Sequence, residues 1–235
     1  MSLVIKPIPK KDPDDLGIRS FLPQLPFRMV VVAPSESGKT TMIYNMLTRQ
    51  SFKYKTVFKN NIFLFSPSIG YDDALDDVGI KEENRRNELD ETFVNAIIDE
   101  QKTLIDEHGK AHVPHILMLF DDVVLQIRNT KDNALKRIFF YGRKYKISCI
   151  ITTQKYKALA PDYRLNASNY IYFLNVSEKE KYSIVDDQPT DKKIFEQIWK
   201  RAQDQGTYAF IYVNMKQNVK DRYYINFTEH ITIKK

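Results

Sequence analysis

The stretch Arg28-Met-Val-Val-Val-Ala-Pro-Ser-Glu-Ser-Gly-Lys-Thr40, continued by Thr41-Met-Ile-Tyr-Asn-Met-Leu47, decides the fold. After Arg28 its first part is apolar and β-branched without alternation, as in a parallel strand buried on both faces. From Lys39 to about Arg49 it reads as a helix. Between the two lies a polar turn of Pro34, Ser35, Glu36, Ser37 and Gly38. Backbone N–H groups of Ser35 to Thr40 can converge there on phosphate oxygens, with the partial positive charge of the helix N-terminus behind them. Ala33 to Thr40 fits the phosphate-loop pattern, except that Ala33 stands where the strict form has Gly. On this reading Pro34 to Thr41 surround the phosphates of ATP. Lys39 meets the β- and γ-phosphates, Thr40 places its hydroxyl on Mg²⁺, and Gly38 keeps a Cβ out of the close approach.

Outward from this segment, strands and helices alternate. A second strand is expected at Asn61 to Phe65, stopped by Ser66-Pro67, then an acidic loop over 70 to 86. Helical spacing runs from Asn87 to about Glu107 and ends at Gly109; His115 to Phe120 is another buried strand. A helix is expected over 131 to 144, a strand at Ile147 to Thr153, and a loop from Gln154 to about Ser168. Then come a strand at Tyr170 to Leu174, helices at 178 to 186 and 190 to 203, and strands at 207 to 213 and 222 to 227 that pair antiparallel at a sheet edge. Parallel strands need crossovers, so the pattern predicts an α/β fold, a three-layer P-loop NTPase (RecA/ASCE-like) with a mainly parallel central sheet and a β-rich C-terminal edge. Residues 28–235 are expected to form a single ATPase domain. Residues 1–27 hold five of the ten prolines and read as an extended lead-in that packs on it.

Composition agrees with a globular chain: 235 residues, 43% hydrophobic and 28% charged. The single Cys149, in an apolar run, rules out an internal disulfide and reads as a core residue. No run of 18 apolar residues occurs, and the first fifteen residues carry charges where a signal peptide would be apolar. An intracellular protein without a membrane-spanning segment is expected. The net charge of +6 is unevenly spread: residues 72 to 107 hold thirteen acidic and four basic residues, and residues 131 to 157 hold eight basic residues and only Asp132. Such polarity suits a protein that binds a polyanion on one face, and solvated helix faces also produce it.

A second signal is Ile116-Leu-Met-Leu-Phe-Asp121-Asp122, a strand that delivers two carboxylates to the C-terminal edge of the sheet, where ligands of open α/β sheets bind. Asp121 would hold Mg²⁺. Asp122, on the other face of the pleat, would polarise the attacking water. A third signal is Gln154, at the end of the strand Ile147 to Thr153; in ATPases with an extra strand between the two motif strands this position senses the γ-phosphate. A loop-capping Gln is the plain alternative.

Taken together, Ala33 to Thr40, Leu117 to Asp122, and Gly142-Arg143-Lys144-Tyr-Lys-Ile147-Ser followed by Ile-Thr-Thr-Gln154 resemble the genome-packaging ATPases of the FtsK–HerA superfamily of large DNA viruses, poxviruses and virophages, over residues 28 to 175. Lys144 stands where relatives commonly carry His, and Asp122 where they often carry Glu. The resemblance implies a homo-oligomeric ring that pumps double-stranded DNA into a capsid, with capsid vertex proteins as further partners. It also implies a location in the host cytoplasm or a viral factory, or with the virion. In such rings an arginine from a neighbouring subunit completes the site. Arg143 matches the family's Gly-Arg position, and Arg164 is the competing candidate.

His108, His112 and His115 invite a zinc reading, but Gly109 and Pro114 interrupt any helix that would align them, and packing or solvent is the plainer role. Tyr208, Tyr212, Tyr223 and Tyr224 could stack bases, yet aromatics at strand spacing more often fill a core. A nucleotide or small-molecule kinase shares the first two signals. It needs a late arginine-rich lid, for which only Lys200, Arg201 and Arg222 are available. A GTP-binding switch lacks its Asn-Lys-x-Asp motif, and a scaffold with a degenerate site conflicts with intact Lys39, Thr40, Asp121 and Asp122.

Overall fold

Strands of continuous apolar sequence form where expected: β1 (Arg28–Val32), β2 (Ile62–Phe65), β4 (Ile116–Phe120), β5 (Ile147–Thr153) and β6 (Asn169–Phe173), with β3 (Arg85–Arg86), β7 (Phe210–Asn214), β8 (Tyr223–Ile225) and β9 (Glu229–Ile231) completing one sheet. The protein is seen in a computed structural model that describes residues 16–69, 73–127 and 134–233. The strand order is β3-β2-β4-β5-β1-β6-β7-β8-β9. β1 to β6 run parallel, and β7, β8 and β9 add antiparallel beyond β6. One strand, β5, lies between β1 and β4, so the phosphate-loop strand and the carboxylate strand are not neighbours.

The helices are α1 (Lys39–Thr48), α2 (Tyr54–Phe58), α3 (Glu91–His108), α4 (Val124–Ile127), α5 (Ala134–Tyr141), α6 (Pro161–Asn166), α7 (Glu178–Asp186) and α8 (Lys192–Gln203). Alternation along each strand divides the core in two. Val30, Val32, Met118, Cys149, Ile151 and Tyr172 pack on the face covered by α3, α5, α7 and α8. Met29, Val31, Leu117, Leu119, Ile150 and Ile171 pack on the face covered by α1, α2 and the segment from Leu22 to Phe27. Both faces are therefore apolar, which is why the central strands read as unbroken hydrophobic runs. Each fully buried Val or Ile contributes roughly 1.5–3 kcal/mol.

Helix ends follow local chemistry. The Asp90 side chain accepts from the Phe93 N–H and starts α3 there rather than at Asn87; Gly109, at φ 77°, stops it. Ser177 and Asp191 cap α7 and α8 in the same way. Other expectations need correction. The stretch after Gln154 is not a plain loop, because Pro161, at the first turn of a helix, opens α6. The helix expected over 131 to 144 is helical from Ala134 to Tyr141 and continues as a 3-10 turn, Gly142–Tyr145; residues 131–133 lie outside the described set, as do 70–72 of the acidic loop and 1–15 of the lead-in. The acidic loop supplies the two-residue edge strand β3, and β9 extends the C-terminal edge by one strand more than expected.

Candidate active site

A cleft of about 890 Å³ opens at the C-terminal edge of the parallel strands, where the segments after β1 and β4 meet the start of β7 and the β8–β9 turn. Pro34, Ser35, Glu36, Gly38, Lys39, Thr40 and Thr41 form its floor. Asp121 and Asp122 form one side, and Phe52, Phe173, Tyr208, Phe210, Asn226 and Phe227 another. The loop is shaped by left-handed backbone at Glu36 (φ 60°) and Gly38 (φ 88°). A Cβ at Gly38 would also stand 3.2 Å from the Tyr208 ring, so side-chain packing adds to the backbone reason for glycine. Gly38 begins α1 with no side-chain cap, unlike α3, α7 and α8, and with no acidic residue in the first turn, unlike α3 and α7. An anion is the natural partner for those first N–H groups. The Ser37 hydroxyl, buried in the same loop, has no hydrogen-bond partner among the described residues.

Lys39 reaches across β5 to both carboxylates: its Nζ lies 2.7 Å from Asp121 Oδ1 and 2.9 Å from Asp122 Oδ2, and 3.4 Å from Thr152 Oγ1. The three protons of the ammonium thus have three acceptors. Burial opposes the charge on Lys39, but Asp121 and Asp122 together outweigh it and hold its pKa above the ordinary lysine value. Lys39 is a cation throughout the physiological range.

The two carboxylates do not alternate across a pleat. β4 ends at Phe120, and Asp122 has left-handed backbone, φ 52°, so its side chain swings to the same side as that of Asp121 and meets the same ammonium. Sequence reasoning that extended the strand through Asp122 missed this turn. It also missed Ser66 and Thr152. Ser66 Oγ donates to Asp121 Oδ2 at 3.2 Å, and Thr152 Oγ1 donates to Asp121 Oδ1 at 2.7 Å. The available signal was position: each is a hydroxyl residue at the C-terminal end of a strand neighbouring β4. Gln154 stands where expected, its Nε2 at 3.4 Å from Asp122 Oδ2.

Other candidates lie elsewhere. Arg143 is exposed in the turn before β5, a full seven-residue strand from Gln154, or roughly 23 Å at ~3.3 Å per residue. It lies at the opposite end of the parallel strands from this chain's own cleft and does not line it. Arg164 is buried: it pairs with Asp187, donates to Leu159 O and lies over the Tyr156 ring, so it is committed inside the chain. Much of the basic segment is engaged as well. Lys146 is buried and donates to Val113 O, Lys136 pairs with Asp162, and Arg137 with Asp99; Arg143, Lys144 and Lys155 remain exposed. Tyr212, Tyr223 and Tyr224 are core residues, whereas Tyr208 is 68% exposed over the phosphate loop. His112 Nδ1 lies 3.1 Å from His108 O, and among the described residues no three His, Cys, Asp or Glu side chains are grouped to hold a metal. Thr40 and Asp121 offer hard oxygen donors on one cleft, a set that fits Mg²⁺ when phosphate oxygens share the coordination.

A phosphate-binding loop and a carboxylate pair joined across one inserted parallel strand define a P-loop nucleotide-binding protein. Comparison with known proteins narrows the class. The chain belongs to the Poxvirus A32 protein family, whose profile matches residues 18–231. It is 29% identical over 168 residues to the DNA packaging protein OPG160 of Variola virus, covering 69% of this chain and 59% of that protein. The Vaccinia virus (strain Copenhagen) protein of the same name is 27% identical over 165 residues, with 69% and 58% covered. The chain thus spans less than two thirds of the length of these curated relatives. In fold it resembles B204, the DNA-packaging ATPase of Sulfolobus Turreted Icosahedral Virus, with TM-score 0.61, 14% identity and 89% and 99% of the chains covered. It also resembles the B204 genome packaging NTPase of Sulfolobus turreted icosahedral virus 2 in complex with AMPPCP, with TM-score 0.58, 16% identity and coverage of 88% and 98%.

Proposed function

We propose that this chain is an ATPase whose hydrolysis drives double-stranded DNA into a viral capsid. The observation that carries this reading is the meeting of phosphate loop, Lys39, Asp121 and Asp122 in one cleft, on a chain whose relatives are named DNA packaging proteins.

The residues divide the work as follows. Backbone N–H groups of Ser35 to Thr40 bind the phosphates, and Pro34, Glu36 and Thr41 shape the loop around them. Thr40 and Asp121 would hold Mg²⁺, which when bound would supply charge neutralisation of the β- and γ-phosphates. Lys39 leaves Asp122 for the arriving phosphate oxygens, a stronger charge partner. The Asp122 carboxylate, so released, orients a water and takes its proton as the water oxygen bonds to the γ-phosphorus and the bond to the ADP oxygen breaks. Gln154, beside Asp122, reports the state of that phosphate to the following loop. Asp122 is shorter than the Glu common in relatives, and the left-handed turn carries its carboxylate toward the cleft.

Arg143 faces outward and would complete the site of a neighbouring copy in a homo-oligomeric ring, with capsid proteins docking the assembly in the host cytoplasm or viral factory. The kinase reading finds no support in the late arginines. Arg201 pairs with Glu229, Arg222 donates to Gln217 O, and neither lines the cleft.

The test is ATP hydrolysis with and without double-stranded DNA across protein concentration, with DNA binding followed against salt. Turnover should rise with both concentration and DNA, and binding should fall as salt rises with a slope near −0.9 per phosphate neutralised. Charge reversal at Lys144 and Lys155, the exposed cations of the basic segment that have no part in the ATP site, should flatten that slope. Hydrolysis indifferent to DNA and concentration, with a slope near zero, overturns the reading.

A further inference from the structure

We infer that Thr152 is a positioning residue for the hydrolytic site: its one hydroxyl sets both the Asp121 carboxylate and the Asp122 turn, and so holds the two acids in their separate roles. The inference rests on the ATPase reading above and goes beyond it.

Thr152 is fully buried near the end of β5, the strand inserted between β1 and β4. The register pairs Val31 with Thr152 on one side and Phe120 with Ile151 on the other, so Thr152 lies two residues short of the phosphate loop on one side and level with Asp121 on the other. Its Oγ1 makes three polar contacts: Asp121 Oδ1 at 2.7 Å, the Asp122 backbone N–H at 3.0 Å and Lys39 Nζ at 3.4 Å. The direction of each bond is forced. An amide N–H and an ammonium can only donate, so both lone pairs of the hydroxyl are used in accepting, and its single proton goes to the carboxylate. One atom therefore reads the phosphate-loop lysine and both acids at once.

Each contact has a consequence. The bond to Asp121 Oδ1, with that from Ser66 to Oδ2, fixes the plane of the carboxylate that would hold Mg²⁺. The bond from the Asp122 N–H anchors a residue at φ 52°, a conformation that is uncommon outside glycine although Asp and Asn enter it more readily than other residues. Without it Asp122 relaxes toward the extended strand, and its side chain turns to the opposite face, away from Lys39 and Gln154. A valine at 152 has nearly the same shape and none of these bonds; a serine keeps the bonds and loses a methyl group.

The experiment compares the full chain with Thr152→Val and Thr152→Ser by two measurements. One is kcat and KM for ATP. The other is affinity for a fluorescent ATP analogue in Mg²⁺ and in EDTA, whose ratio reports the metal-dependent part of binding without turnover. Thr152→Val should lower kcat by about 10- to 100-fold, should lower the affinity ratio by about 10-fold, and should raise KM for ATP in Mg²⁺ by no more than that loss of metal-dependent affinity. Thr152→Ser should restore both to within ~3-fold of the parent, on the principle that the hydroxyl alone carries the role. If the valine variant does not fold, Ser66→Ala takes the affinity arm, since it frees the other oxygen of the same carboxylate, and should lower the ratio. A valine variant with both quantities unchanged, a serine variant as impaired as the valine one, or a parent ratio of one overturns the inference. A parent that shows the Mg²⁺-dependent affinity but hydrolyses no ATP overturns the ATPase reading, and the affinity ratios still decide the role of Thr152.

Discussion

Lys39 separates Asp121 from Asp122, and its removal does more than delete a phosphate contact. In Lys39→Ala the two carboxylates face each other across the space the ammonium filled. Stability should fall by about 1–3 kcal/mol, less than the ~3–5 kcal/mol of a fully buried pair because Asp122 is partly exposed. Urea unfolding should register that loss alongside abolished hydrolysis and weakened nucleotide binding. Asp122→Asn should differ on every count, because Asn tolerates left-handed backbone and its N–H keeps the bond to Thr152. That variant should keep its fold and its affinity for ATP with Mg²⁺ and lose turnover by 100-fold or more, in line with loss of a general base. Equal loss of binding in the two variants would show the carboxylate roles to be misassigned. At this scale the loop was legible because residue types and spacing define it, whereas the turn at Asp122 was not. Nothing in Phe-Asp-Asp says that the backbone turns left-handed at Asp122, and the hydroxyl that accepts its N–H, on Thr152, is 30 residues away.

Among the elements, β1, β4 and β5 were readable to within a residue because burial on both faces demands an uninterrupted apolar run. The helix α6 was not readable by apolar period, since six residues are too few for one to show. The usable signal was Pro161 after Ala160, a proline suited to a first helical turn. β3 and β9, two and three residues long, carry no pattern of their own and form only because a neighbouring strand edge is available. The helix α8 shows how capping and packing combine. Asp191 accepts from the N–H groups of Lys193 and Ile194, and Phe195, Ile198, Trp199 and Ala202 fall on one buried face. Asp191→Ala should cost about 1 kcal/mol and Trp199→Ala about 3–5 kcal/mol in denaturant unfolding. Neither residue lines the cleft, so at a temperature where the variants remain folded their nucleotide affinity should match the parent.

For the molecule as a whole, the nucleotide cleft and Arg143 lie at opposite ends of the parallel strands, which sets up a test by mixing. Arg143→Ala and Lys39→Ala chains should each be nearly inactive, and together should recover hydrolysis if an intact phosphate loop meets an intact arginine between copies. The absence of recovery at concentrations where the parent is active would remove Arg143 from the site. The cleft itself is drawn from distant parts of the sequence. Its floor is the turn after β1, while Tyr208, Phe210 and Phe227 furnish a largely aromatic wall with Asn226 beside them. A ribosome releases that wall 227 − 39 = 188 residues after Lys39, or roughly 10–40 s later at ~5–20 residues per second. A nascent chain therefore displays Pro34 to Thr41 long before the wall beside them exists, and the cleft takes its closed shape only once the β7–β9 strands have been translated and have joined the sheet.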